Sequence, residues 1–94
     1  MVTARQNVRI KDNLRVHWRV EGQPIAGEGT IVDLSAKGMQ LILDKVFEPS
    51  LPCVLFIESF HSQQLVISKK FKMVWFKKAT HKGQECIQCG GEFI

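Results

Sequence analysis

The chain has 94 residues, 45% hydrophobic and 23% charged. That length suits one domain with one small core, and that composition excludes a disordered chain. A net charge of +4 and a pI near 9.2 suit an anionic partner without singling out nucleic acid.

Three cysteines leave an odd one and make no disulfide framework, which fits a reducing compartment. No secretory pattern opens the sequence. The longest apolar run, residues 53–57, is far too short to span a bilayer. The expectation is a cytoplasmic protein without membrane insertion.

Residues 1–13 are polar and lack a period, so they read as an arm ahead of the fold. The arm carries Arg5-Gln6-Asn7-Val8-Arg9. Leu14–Val20 alternates strictly: Leu14, Val16, Trp18 and Val20 against Arg15, His17 and Arg19. That is the pattern of a half-buried strand. Residues 21–24 make a turn. Residues 25–32 are extended again, loosened by Gly27 and Gly29.

Asp33-Leu34-Ser35-Ala36-Lys37-Gly38 then reads as a turn between two apolar runs. Asp and Ser side chains bond nearby backbone, and Gly permits φ > 0 or a close approach. Met39, Leu41 and Leu43 place the third strand over residues 39–43. A loop with two prolines covers residues 46–52, and a fourth strand residues 52–59. A turn at residues 60–63 leads into a long strand over 64–76. There Leu65, Ile67, Phe71, Met73 and Trp75 share one parity. Lys69 shares it too, which predicts a bulge or a change of facing near it. Residues 77–84 read as a polar loop and 85–94 as the last strand, with Ile87, Cys89, Gly91 and Phe93 on one face. Six short strands at regular intervals and no helical period predict an all-β, six-stranded antiparallel barrel over residues 14–94.

Catalytic constellations are absent from this pattern. His17, His61 and His81 pair with no nucleophile motif. Cys86-Ile87-Gln88-Cys89 has the spacing of half a zinc site, but a structural site needs four ligands and no second close pair exists. The lysines at 69, 70, 72, 77, 78 and 82, interleaved with Phe71, Trp75 and Phe76, could face nucleic acid. Parity favours an outward strand face with the aromatics inside.

Two features remain: the RxxxR arm and the DxSxxG segment. The first alone is weak, since Arg15-Val16-His17-Trp18-Arg19 matches it as well. In this order, on a six-strand pattern, they resemble the PilZ domain, a receptor module for cyclic di-GMP in bacteria. Met73-Val74-Trp75 and Gly91-Glu92-Phe93-Ile94 look like the family's closing segments. PilZ domains commonly carry a helix after the barrel; with the last strand reaching residue 94, none is expected here.

The resemblance implies that Arg5 and Arg9 clamp cyclic di-GMP from the arm. It implies that Asp33, Ser35 and Gly38 hold the ligand from the barrel rim. An arginine can fork onto guanine O6 and N7, stack on the base or pair with phosphate. A carboxylate can accept from guanine N1 and N2. No cofactor, no metal and no enzymatic turnover are implied. Ligand would order the arm and so present a surface to a downstream protein. A PilZ-fold adaptor that ignores the nucleotide is the alternative, and nucleic-acid binding ranks last.

Overall fold

The computed structural model describes residues 7–8, 14–61 and 63–94. Those described residues form seven strands: β1 (Asn7–Val8), β2 (Leu14–Val20), β3 (Ala26–Ser35), β4 (Gly38–Leu43), β5 (Cys53–His61), β6 (Gln64–His81) and β7 (Gln84–Phe93). All pairings are antiparallel. The order β1-β3-β2-β5-β6-β7-β4, with β3 also paired to β4, closes β2 to β7 into a ring of six. Among the described residues there is no helix, and none long and apolar enough to cross a membrane. The expected six-stranded antiparallel ring is therefore present, with β1 added beside β3.

Inward positions follow the alternation. On β2, Val16, Trp18 and Val20 are buried while Arg15, His17 and Arg19 are exposed. They meet Ile31, Leu41, Leu55, Ile57, Phe71 and Ile87, all fully buried. Each such side chain contributes roughly 1.5–3 kcal/mol through removal from water. Trp18 also satisfies its indole N–H, which donates to the Glu28 carbonyl at 2.9 Å, and its ring stacks on Phe47. Buried Ser59 is satisfied likewise, donating to the Arg15 carbonyl at 2.9 Å.

Besides β5, which runs on through Phe60 and His61 into the expected 60–63 turn, two elements differ from the sequence expectation. β6 does not stop near residue 76 but continues to His81, paired with β7 as far as His81↔Gln84. Lys77 to Thr80 carry little apolar signal because their pairing rests on backbone hydrogen bonds. The connection is only Lys82 and Gly83, with φ of 53° and 79°, a tight hairpin turn. The second difference is the DxSxxG segment: Asp33, Leu34 and Ser35 belong to β3 and Gly38 opens β4. Only Ala36 and Lys37 lie outside a strand.

Among the described residues the ladders are interrupted by three bulges. Ile31 pairs with Leu41 but Asp33 with Gln40, which leaves Val32 as an extra residue. Val66 is extra opposite β5, and Val74 is extra opposite β7. Lys69, near which one bulge or change of facing is expected, pairs regularly with Ile57, and the bulges fall at Val66 and Val74.

Candidate ligand-binding site

Bulges decide which side chains reach the outer surface here. Strict alternation from Ile31 would send Asp33 into the core. The extra residue at Val32 reverses the facing, so Leu34 turns inward opposite buried Met39 and Asp33 turns outward beside Gln40. Val74 does the same for Trp75. Counting from Phe71 and Met73, Trp75 would be a core residue; it is instead 39% exposed, while Phe76 packs against the core. The register then draws one line across four strands: Asp33↔Gln40, Gln40↔Gly90, Gly90↔Trp75. Gly90 has no side chain, and the Trp75 ring lies across it. A β-carbon on Gly90 would come within 2.4 Å of the indole Nε1.

Ser35 and Gly38 close the turn at the rim. The Ser35 hydroxyl donates to the Gly38 carbonyl at 3.1 Å. Its oxygen accepts from the Lys37 N–H at 3.3 Å and from the Gly38 N–H at 3.2 Å. Both amides are thereby engaged inside the turn. Gly38 does not adopt positive φ; the glycines that do are Gly22 and Gly83. Its smallness serves close approach, since a β-carbon there would lie 2.0 Å from the Gly91 carbonyl oxygen.

β1 brings in the arm. Asn7 pairs with Ser35 and Val8 with Leu34, so the middle of the RxxxR segment runs antiparallel to the DxSxxG segment. Arg5 and Arg9, the expected clamp, lie outside the described residues.

Asp33, Ser35, Lys37, Gln40, Trp75, Gly90 and Glu92 line an open cleft of about 260 Å³. A larger hollow of about 570 Å³ lies on the outer face of β2, β3, β5 and β6, between His17, Arg19, Phe56 and Glu58. It holds His17, Trp18 and Arg19 of the second RxxxR copy and nothing of the DxSxxG segment. The smaller cleft is the better candidate because the DxSxxG residues line it, β1 runs beside that segment, and an aromatic face is offered beside an acid and an amide.

Competing features are otherwise occupied. In the second RxxxR copy, Arg15 pairs with Asp44 at 2.6 Å and Glu28 at 3.1 Å, and Arg19 sits 4.2 Å over the Phe56 ring. Bonding to Asp44 raises the Arg15 pKa further. Of the six lysines between 69 and 82, Lys70 faces Glu21, Lys72 faces Glu92 and Lys78 faces Glu48. Interleaved acids of this kind break up a nucleic-acid face. Cys86 and Cys89 are both buried, and burial pushes the Cys89 thiol up to about 12. Cys89 packs within the hydrophobic core as a small apolar residue. No group of three metal-ligating side chains occurs among the described residues.

The PilZ domain family model matches residues 3–94. The chain belongs to the PilZ domain family. Its fold agrees with that assignment. The PilZ domain of YcgR from Escherichia coli, solved with c-di-GMP, superposes with a TM-score of 0.63 at 12% identity, covering 98% of this chain and 79% of that one. No curated protein matches by sequence.

In this PilZ domain, sequence reasoning placed Asp33, Ser35 and Gly38 together but missed Gln40, Gly90 and Trp75. Parity along the strand assigns Trp75 to the core. A signal was present: three large apolar residues in succession, Val74, Trp75 and Phe76, break the alternation, and Gly90-Gly91 supplies space across the ladder.

Proposed function

We propose that this PilZ domain is a cyclic di-GMP receptor that passes the signal to a protein partner. The observation that supports this reading is the pairing of Asn7 and Val8 with Ser35 and Leu34, which runs the middle of the arm segment beside the DxSxxG segment. Charge sorts the ligand. Asp33 repels phosphate and suits base N–H groups, while Glu92 is shared with Lys72, so the bases go to the Asp33–Trp75 side. The two phosphates go toward Arg5, Arg9 and Lys37. The Trp75 indole offers a stacking face, worth about 1–3 kcal/mol per base. Ser35 acts by shaping the turn, since its hydroxyl is already spent on the Lys37 and Gly38 backbone. Gly38 acts by letting β7 approach.

No step of bond making is assigned to the site, and bound ligand is expected to be recovered intact. A receptor of this kind works in the bacterial cytoplasm, in keeping with three thiols left unpaired. Residues 1–13 serve as the arm and 14–94 as the barrel. Ligand bridges the arm to the rim, and the joint surface is what the partner reads.

Calorimetry tests the reading. Cyclic di-GMP should give a saturable isotherm, while GMP and GTP should bind far more weakly. Arg5→Ala and Arg9→Ala should each cost about 1.5–3 kcal/mol if charged hydrogen bonds are lost. Absence of heat at micromolar cyclic di-GMP would refute the receptor reading. A partner captured equally with and without ligand would refute the relay.

A further inference from the structure

We infer that Gln40 makes the cleft select guanine over adenine, an assignment that rests on the receptor reading above. Gln40 occupies the second place in the outward line Asp33, Gln40, Gly90, Trp75. Neighbouring strands lie about 4.8 Å apart, so Asp33 and Gln40 stand within reach of one base edge. The whole line spans about 14 Å, three such spacings. The Trp75 indole lies over Gly90, the register partner of Gln40, and both side chains line the same cleft. A purine stacked on the exposed indole face therefore points its edge at Gln40 and, one strand further, at Asp33.

The chemistry of that edge decides the base. Guanine presents O6 as acceptor with N1–H and N2–H as donors. Adenine presents an amino donor at position 6 and a lone pair at N1. The Asp33 carboxylate accepts only, and so takes guanine N1–H and N2–H while opposing the adenine N1 lone pair. A carboxamide has one donor end and one acceptor end. Beside a carboxylate its oxygen is repelled and its –NH₂ end is favoured toward the cleft. That end donates to guanine O6 and meets the adenine amino group donor to donor. Among the described residues, neither the Asp33 nor the Gln40 side chain is engaged in a hydrogen bond within the fold. Gln40 is half-buried and outward, so the side chain is placed for a ligand and not needed by the core.

Gln40→Glu and Gln40→Met separate this role from folding. Both are similar in size to glutamine, and their thermal melts should match the wild type. Titration with cyclic di-GMP and cyclic di-AMP gives the selectivity. In Gln40→Glu, loss of the O6 donor should weaken cyclic di-GMP about tenfold or more. The new acceptor should leave cyclic di-AMP unchanged or improved, so the ratio falls. Gln40→Met should lose cyclic di-GMP affinity without gaining cyclic di-AMP. If the wild type binds cyclic di-GMP and Asp33→Ala abolishes it, yet both Gln40 variants keep the wild-type ratio, the assignment of Gln40 is overturned and the receptor reading stands. If the wild type binds neither nucleotide, both fall.

Discussion

Replacing Gly38 by alanine should destabilise the fold before it touches any ligand. The new β-carbon would sit 2.0 Å from the Gly91 carbonyl oxygen, 2.9 Å from the Glu92 Cα and 3.0 Å from the Gly91 carbonyl carbon. All three are backbone atoms, so no side chain can rotate away. Even a close carbon–oxygen contact needs about 3.3 Å, so β7 must retreat from β4 by over about 1 Å. That retreat disrupts the pairs Gly38↔Glu92 and Met39↔Gly91, and the bond from the Phe93 N–H to the Lys37 carbonyl at 2.8 Å. Two to three backbone hydrogen bonds at about 1 kcal/mol each give a loss of about 2–3 kcal/mol. Overpacking elsewhere in proteins costs about 1–3 kcal/mol, which agrees. Urea unfolding reads this as a midpoint lowered on the order of 1 M with an unchanged slope. Gly22→Ala is the control: nothing lies within 4 Å of its β-carbon, and only its φ of 78° is strained. That control should cost about 1–2 kcal/mol. A Gly38→Ala protein as stable as the wild type within about 0.5 kcal/mol would refute the close-approach argument. The motif glycine would then have to be explained through the ligand alone.

Three further outcomes follow from the same geometry. Ser35→Ala removes a hydroxyl that holds three backbone groups, and should cost about 0.5–1.5 kcal/mol in a chemical melt while weakening cyclic di-GMP. The two tryptophans should behave oppositely: iodide or cyclic di-GMP should quench the emission of Trp75, 39% exposed, and spare Trp18, 2% exposed, so Trp75→Phe should abolish the response. Cys89 makes the fold sensitive to alkali. Burial raises its thiol from 9.0 to about 12, so between those values the folded chain holds a proton that the unfolded chain gives up. Its contribution is complete below about pH 9 and is lost as pH rises toward 12. The gap corresponds to a loss on the order of 4 kcal/mol, and Cys89→Val should flatten the alkaline limb of a stability–pH curve.

Much of this protein is set by local pattern. The alternation from Leu14 to Val20 specifies β2 to the residue, because a sheet with one buried face accepts only one parity. Ser35 and Gly38 were legible as turn chemistry for the same kind of reason: a hydroxyl bonding the backbone two and three residues on is a local event. The tertiary structure decided the rest of the site. Parity counted from Ile31 and Met73 sends Asp33 and Trp75 inward, and two extra residues, Val32 and Val74, bring both out onto one face. A bulge is defined by the strand opposite, so a single strand's sequence does not specify where one falls. The same holds for Gly38 and Gly90, whose smallness is required by Gly91 and Trp75, residues far away along the chain. The motifs were local; the line from Asp33 through Gln40 and Gly90 to Trp75 exists only once the ring of strands has closed.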